Sequence, residues 1–260
     1  SPKRRFSHYG TVLGLAPGRP ATGLKVLFRF YVSAILVSAA VVFAGHANAR
    51  PVDAPLQAAS AGCPTDKHAP AVTPRVIIDA KGGPTIGTMQ YQNGGGLKHK
   101  EVALTFDDGP DPKTTPRILD ILDKHCIKAT FFMVGVYAKA RPDLVREVAR
   151  RGHVIGTHTN THPNNLRHLS ETRAKAEITK GFDAVRQALV GAPAAERAAL
   201  APFFRFPGLN DKKSLITWLG KQDIATLSCS FGADDWKRIN ADSVYRRGIS
   251  AIESEGRGIL

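Results

Sequence analysis

Residues 102–110 read VALTFDDGP, and the fold class follows from this stretch. The first five residues are mostly apolar and favour a strand, whereas the last four, residues 107–110, favour a turn. Pro116 and apolar residues at helical spacing come next and predict a helix. A short buried strand, a polar turn and a helix form the repeating unit of folds with parallel strands.

The same alternation continues along the chain. We predict an α/β fold in which parallel strands are covered by helices, as either a barrel or an open sheet. In both architectures polar residues that follow a strand lie at the functional edge. The predicted strands are residues 129–134, 154–157, 203–206 and 224–227, with the start of another at residues 256–260, and the predicted helices are residues 142–151, 170–189 and 241–255.

Residues 1–49 have the composition of a leader. They contain six basic and no acidic residues, so the rest of the chain carries +8 of the total net charge of +14. An apolar run over residues 30–43 ends near the small residues Ala47 and Ala49, a pattern typical of a cleaved signal peptide. The run is shorter than the roughly 20 residues that span a bilayer. We therefore predict cleavage near residue 49 and a secreted or periplasmic protein, with membrane anchoring by an uncleaved leader as the alternative.

Two further segments follow the leader. Residues 50–97 are rich in Ala, Pro and Gly and predict a flexible extension, and residues 98–260 form the predicted catalytic domain. No phosphate-binding glycine motif and no pair of closely spaced cysteines is present, which argues against a nucleotide enzyme and a cysteine zinc site. Because much of the positive charge lies in the leader and no stacking motif accompanies it, we predict no nucleic-acid partner.

Metal-type ligands follow two of the predicted strands. Asp107 and Asp108 end the first strand, and His158 and His162 follow the strand at residues 154–157. One carboxylate and two imidazoles form a set that binds zinc or a similar divalent ion, such as cobalt or nickel, with a position left open. Adjacent residues at a strand end point to opposite sides, so the second aspartate is free to act as a base. A solvated loop and a simple turn are the alternative interpretations of these two patterns.

The motif at residues 105–110 and the segment His158-Thr159-Asn160-Thr161-His162 resemble the first two motifs of the NodB-like polysaccharide deacetylases, a carbohydrate esterase family. The resemblance covers residues 100–260. It implies a distorted (β/α) barrel that hydrolyses N-acetyl groups on amino-sugar polymers. It also implies that Asp107 is the general base, that Asp108, His158 and His162 are the metal ligands, and that Thr159 supports their loop.

Two later motifs are less complete. Arg205, Pro207 and Gly208 stand where the family has Arg-x-Pro-Tyr, which implies that Arg205 orients the base, that Pro207 supports the turn and that the Gly208 amide stabilises an oxyanion. Asp235 and Trp236 match the end of the fourth motif, but Gly232 replaces its first aspartate. The resemblance implies a catalytic role for Asp235. Trp236 is interpreted either as a sugar-binding residue or as a core residue.

The family's general-acid histidine has no counterpart at residues 256–260. We interpret the sequence as incomplete at its C-terminus, with its last barrel strand cut short, and expect slow turnover of an N-acetylated polysaccharide or oligosaccharide. Two alternatives stay open. In the first, the same site hydrolyses O-acetyl esters on polysaccharides. In the second, the protein is secreted and binds metal or glycan without catalysis, which the replacement of two motif residues by Gly208 and Gly232 favours.

Overall fold

The computed structural model describes residues 9–12 and 76–260. The predicted apolar run at residues 30–43 and the cleavage site near residue 49 lie outside the described residues. The described strands are β1 (Tyr9–Val12), β2 (Val76–Asp79), β3 (Thr85–Ile86), β4 (Val102–Ala103), β5 (Thr105–Phe106), β6 (Thr130–Met133), β7 (Val154–Thr157), β8 (Leu200–Phe204), β9 (Ala225–Leu227) and β10 (Gly258–Ile259). The described α-helices are α1 (Thr115–Lys124), α2 (Gly135–Ala140), α3 (Pro142–Arg150), α4 (Glu171–Ala188), α5 (Ala194–Arg197), α6 (Lys213–Gly220) and α7 (Ala241–Glu255).

Six strands form one parallel sheet in the order β3-β9-β8-β7-β6-β5. The helices between successive strands supply the crossover connections that parallel pairing needs. The predicted α/β class with parallel strands is therefore confirmed. Outside this sheet, β1 pairs with β2 in antiparallel orientation.

Strand β6 shows why the strands are parallel and covered on both sides. All four of its residues are buried. Phe131 and Met133 pack in a cluster with residues of α1, α3 and α4, whereas Phe132 packs in a second cluster with Phe203 of β8 and Ile86 of β3. Successive side chains of a strand point to opposite faces, so an apolar run of this kind requires a hydrophobic layer on each face.

Strand β10 connects the strand that precedes β5 to the segment that follows β9. It pairs in parallel with β4, which directly precedes the edge strand β5. On its other side the backbone N–H of Ser230, just after β9, donates to the Ile259 carbonyl across 2.8 Å. Ile259 is buried in the same cluster as Phe132. The sheet therefore curls around an apolar interior, consistent with the distorted (β/α) barrel that the resemblance implies.

Residues 76–97 differ from the sequence prediction. They were expected to belong to a flexible extension that ends at residue 97, but β3 pairs in parallel with β9 and continues the main sheet. Ile78 and Ile86 are buried within the inner cluster. Composition misled because the strands here are short and are separated by Gly-rich turns that resemble a linker. The folded domain thus begins by residue 76.

The ends of α4 and α7 agree with their local sequence signals. Ser170 precedes α4 and accepts the backbone N–H of Arg173, and Asn240 precedes α7 and accepts that of Ser243 across 2.8 Å. Gly256 ends α7 with a positive φ of 68°, a conformation that glycine adopts without strain. Within the described residues, no helix combines the length and the hydrophobicity required to cross a membrane.

Candidate metal and catalytic site

The polar residues singled out from the sequence follow the carboxyl ends of neighbouring strands. Asp107 and Asp108 come directly after β5, His158 directly after β7, and Arg205 directly after β8. Because these strands are parallel, their carboxyl ends lie at one edge of the sheet. The fold therefore gathers residues that are as much as 98 positions apart in the chain.

Asp108, His158 and His162 form a group with metal-ligand geometry. One ligand atom from each lies within 4.8 Å of the others. Oδ1 of Asp108 is 3.2 Å from Nε2 of His162 and 3.6 Å from Nε2 of His158. Ligand atoms of a tetrahedral zinc ion, with bonds of about 2.0–2.1 Å, lie about 3.3 Å apart. The spacing and the donor types both fit a divalent cation.

The loop between the two histidines is shaped by Thr159. Its hydroxyl donates to the His158 carbonyl and accepts the backbone N–H of His162 across 3.0 Å. Thr159 and His162 both have a positive φ, of 69° and 56°. Such backbone is unfavourable for residues with a side chain, so hydrogen bonds from the surroundings are needed to hold it. Thr159 is thus placed to support the loop.

Helices α2 and α4 both pack against this loop. The backbone N–H groups of Gly135 and Val136 donate to the carbonyls of Thr159 and Asn160 across 2.9 and 2.8 Å. Gly181 of α4 approaches so closely that a Cβ there would lie 2.7 Å from the Thr159 carbonyl oxygen. The absence of a side chain at Gly181 therefore allows α4 to pack directly against the metal-ligand loop.

The hydrogen bonding of His158 suits a metal ligand. Its Nδ1 lies 2.8 Å from the carbonyl oxygen of Arg205, and a carbonyl only accepts, so Nδ1 carries the proton. Nε2 is then left with a free lone pair that faces Asp108. Burial lowers the pKa of His158, and the nearby carboxylate of Asp107 only partly opposes this effect. The side chain is therefore kept in the neutral form that binds metals.

Asp107 lies beside this group and is bound by a buried arginine. Nη1 of Arg205 is 2.7 Å from Oδ1 of Asp107 and 2.8 Å from the hydroxyl of Thr105. Oδ2 of Asp107 lies 3.8 Å from Nε2 of His158 and receives no hydrogen bond from any described residue. One carboxylate oxygen is therefore fixed, and the other faces the metal-ligand group.

The buried guanidinium of Arg205 is held by backbone carbonyls and by an aromatic ring. Its side chain is 1% exposed, and its Nε and Nη2 donate to the carbonyls of Leu227 and Ser228 across 3.3 and 3.1 Å. The guanidinium also lies over the ring of Phe132, 4.2 Å from the ring centroid. A planar group with several fixed donors is suited to these simultaneous contacts, and lysine is not.

Pro207 and Gly208 form a turn after the buried Phe206. Pro207–Leu209 is a single 3₁₀ turn in which Pro207 is buried and Gly208 is exposed. Gly208 has φ 57°, and the next residue, Leu209, also has a positive φ, of 56°. The turn therefore presents backbone, and not a side chain, at the position where the family motif carries tyrosine.

The comparisons with known proteins agree with this site. Residues 94–221 match the family model described as polysaccharide deacetylase. A chitooligosaccharide deacetylase from Rhizobium leguminosarum bv. trifolii is 34% identical over 156 residues, which cover 60% of this chain and 68% of the relative. The chain belongs to the NodB-like polysaccharide deacetylase family.

The matches to two further proteins cover about half of each of those proteins. A peptidoglycan-N-acetylglucosamine deacetylase from Bacillus cereus is 37% identical over 154 residues, 59% of this chain and 53% of the relative. The solved structure of a peptidoglycan deacetylase from Bdellovibrio bacteriovorus has 31% identity and a TM-score of 0.59, and the match covers 70% of this chain and 48% of that one. The chain spans about half the length of these two relatives.

The fourth deacetylase motif is not joined to the site by a polar contact. Asp235 is exposed and makes no hydrogen bond or ion pair with any described residue, while its neighbour Asp234 pairs with Lys237 and Arg247. Trp236 is 80% exposed, so the interpretation as a core residue is wrong. Both residues lie on the loop between β9 and α7, which follows the same edge of the sheet.

Sequence reasoning missed a second group of residues around the site. Gln90 and Tyr91, after β3, contact residues 209–211 and Ser228 at the strand ends, although they fall in the segment predicted to be an extension. The β-branched apolar run Val76-Ile77-Ile78 was the available signal that this segment contains a strand. Gly135 and Gly181 carry no sequence signal, because their role depends on which backbone approaches them.

Proposed function

We propose that this deacetylase-family chain is a metal-dependent hydrolase that removes N-acetyl groups from an amino-sugar polysaccharide or oligosaccharide. One relationship carries the proposal: Oδ2 of Asp107 faces the ligand atoms of Asp108, His158 and His162, while Arg205 holds its other oxygen. Pure metal binding needs no second carboxylate fixed in this way. The names of the relatives, which deacetylate chitooligosaccharides and peptidoglycan N-acetylglucosamine, support the substrate class.

Zinc is the proposed ion, held by Asp108, His158 and His162. Two imidazoles, one carboxylate and an open position are typical of catalytic zinc, with cobalt and nickel as substitutes. When bound, such an ion supplies Lewis acidity for the acetyl carbonyl and for the attacking water. The neutral state of His158, favoured by its burial, prepares the site for a cation without the need to remove a proton.

The residues of the chain supply the proton transfers. Oδ2 of Asp107 accepts a proton from the attacking water, and Arg205 keeps the carboxylate in orientation. The backbone N–H of Gly208 donates to the oxyanion that develops on the acetyl oxygen. The bond between the acetyl carbon and the amine nitrogen then breaks, and Asp107 returns its proton to that nitrogen. The products are acetate and a free amino sugar.

We assign Asp235 and Trp236 to contacts with the glycan. Asp235 makes no polar contact with Asp107 or the metal-ligand group, so proton transfer is better assigned to Asp107. An exposed indole face packs well against a sugar ring, and Trp236 offers the most exposed large hydrophobic side chain among the described residues.

Acetate release from N-acetylated chitooligosaccharides and from peptidoglycan fragments, before and after metal removal, tests this function. We expect activity that is lost with a chelator and restored by zinc.

Asp107→Asn should lower kcat by at least a factor of 10³ and leave zinc affinity within threefold, whereas the exposed Asp242→Asn is the matched control and should change neither. Activity on acetylated xylan alone would indicate an O-acetyl esterase. No activity on any substrate, with zinc and oligosaccharide still bound, would indicate a binding protein.

The location of the protein is proposed from the leader composition. The basic residues, the apolar run at residues 30–43 and the small residues near residue 49 support export, to the periplasm or the medium. A cell-wall or oligosaccharide substrate is accessible there. N-terminal sequencing of the exported protein is the test: a new N-terminus near residue 50 supports cleavage, and an intact leader in the membrane fraction supports anchoring.

A further inference from the structure

Residues 89–91, which follow β3, form hydrogen bonds with residues near the carboxyl ends of the strands. The backbone N–H of Met89 donates to the Cys229 carbonyl across 3.0 Å. The hydroxyl of Tyr91 donates to Oδ2 of Asp211 across 2.9 Å, and burial together with this hydrogen bond raises the pKa of Tyr91. The phenol therefore stays protonated and available as a donor. These contacts hold the side chain of Gln90 in place between them.

Gln90 connects two parts of the site with the two ends of its amide. Oε1 accepts the hydroxyl of Ser228 across 2.7 Å, and Nε2 donates to the carbonyl of Leu209 across 2.7 Å. Ser228 is buried, and its own carbonyl accepts from Nη2 of Arg205. A continuous chain of hydrogen bonds therefore runs from Asp107 through Arg205, Ser228 and Gln90 to Leu209.

The turn at the end of this chain needs support from outside. Leu209 has a positive φ of 56°, and the preceding residue is the exposed Gly208. A leucine in this conformation costs free energy that its surroundings must offset. The bond from Gln90 fixes the Leu209–Asn210 peptide through its carbonyl. The N–H of this peptide, that of Asn210, donates to the Pro207 carbonyl across 3.1 Å, and that carbonyl belongs to the same peptide group as the Gly208 N–H. An amide is required, because one end must accept from Ser228 and the other must donate to Leu209.

We propose that Gln90 is a positioning residue that fixes the Gly208 turn relative to the Arg205–Asp107 pair. The inference rests on the proposed function, in which the Gly208 amide stabilises the oxyanion. Gln90 lies outside residues 94–221, which match the family model.

Gln90→Glu tests the proposal with minimal change in size. The carboxylate still accepts from Ser228 but cannot donate to Leu209, whose carbonyl it repels. We expect kcat on N-acetylated chitooligosaccharides to fall about tenfold, with KM and zinc affinity within twofold of the parent, because an oxyanion contact acts only in the transition state. Gln90→Ala should show a similar loss, and a Gln90→Glu/Ser228→Ala double variant should lose little more than Gln90→Glu. Gln92→Glu, at an exposed neighbouring position, is the matched control and should have no effect.

Hydrogen exchange of the zinc-loaded protein provides a readout that is independent of activity. Peptides that cover residues 206–211 should exchange at least fivefold faster in Gln90→Glu than in Gln92→Glu, and those that cover residues 156–162 should be unchanged. If the parent proves inactive but exchange rises at residues 206–211, the proposed function fails and the positioning stands. Unchanged exchange there, or a kcat loss matched by an equal loss of zinc affinity, would overturn the proposal.

Discussion

Nη1 of Arg205 lies 2.7 Å from Oδ1 of Asp107, and this contact gives the two oxygens of one carboxylate different surroundings. Oδ1 belongs to a buried hydrogen-bond network that also includes Thr105. Oδ2 lies 3.8 Å from Nε2 of His158, which is itself 3.6 Å from Oδ1 of Asp108. A carboxylate that is held by Arg205 through one oxygen and faces the candidate metal ligands with the other is the central feature of the site.

Replacement of Arg205 is the first prediction. Arg205→Lys removes the fork that contacts Asp107, Thr105 and two carbonyls, because an ammonium group cannot reach all of them. We expect kcat to fall by about 10²-fold and the free energy of unfolding to fall by about 3 kcal/mol, since buried polar partners lose their donors. Acetate release and urea unfolding measure the two effects. Arg167→Lys, on the exposed surface, is the control. A stable and fully active Arg205→Lys would contradict the assigned role.

The second prediction concerns Thr159. Thr159→Val keeps the shape of the side chain but removes the hydroxyl that links the His158 carbonyl to the His162 N–H. We expect zinc affinity to fall by about 10- to 100-fold, the range typical of groups that orient metal ligands. Competition with a chromophoric chelator measures it. Thr161→Val in the same loop, whose hydroxyl binds Glu177, should change zinc affinity less than threefold. Equal losses in the two variants would argue against a specific role for Thr159.

The third prediction is a pH dependence of stability that originates at His153. This side chain is buried, its Nδ1 accepts the backbone N–H of Ala129, and burial lowers its pKa to about 4. Because the unfolded chain binds a proton near pH 6.5 and the folded chain does not, stability is fully present above about pH 6.5 and is lost as the pH falls towards 4. The loss attributable to His153 is about 3 kcal/mol. Urea unfolding between pH 7 and pH 4.5 measures it.

His153→Phe is the variant that isolates this effect, because a phenyl ring fits beside Phe131 and does not titrate. The difference in unfolding free energy between pH 7 and pH 4.5 should shrink by roughly 2 kcal/mol relative to the parent. His168→Phe, at an exposed position, should leave the difference unchanged. An identical pH dependence in the parent and in His153→Phe would exclude His153 as its source.

The fourth prediction compares the two tryptophans. Trp236→Ala removes a side chain that is 80% exposed, so the melting temperature should change by less than about 2 °C. If Trp236 contacts the glycan, KM for long oligosaccharides should rise several-fold while KM for the shortest substrate changes little. Trp218→Ala removes a half-buried ring packed against the core and should lower the unfolding free energy by about 2–3 kcal/mol. An unchanged KM in Trp236→Ala for every substrate length would remove Trp236 from the binding surface.

Most of the fold was predictable because local signals agree with the tertiary structure. The apolar runs at residues 130–133 and 154–157 are buried on both faces, as parallel strands require, and the helix predicted over residues 241–255 has those bounds in the structure. The prediction was wrong for residues 76–97. Strands of two to four residues between Gly-rich turns give too little periodicity to distinguish them from a linker.

Residue type and spacing suggested the candidate metal-ligand group but left a solvated loop and a simple turn as alternatives, and the resemblance to the family motifs favoured the metal site. The backbone conformation of the loops that carry this group was not predictable. The positive φ angles at Asp108, Thr159 and His162, and the close approach of Gly181, depend on which elements pack around the loops. No periodicity in the chain encodes them.

The amino-acid sequence alone specified the alternation of strands and helices, the family motifs and the chemical identity of the ligands, because these depend on local pattern and side-chain chemistry. The packed structure was needed to show that Arg205 binds one oxygen of Asp107, that Thr85–Ile86 add an edge strand to the sheet, and that Gln90 connects Ser228 to the turn at residues 207–209. These contacts join residues more than 90 positions apart. They exist only once burial of the apolar layers has brought the carboxyl ends of the strands together.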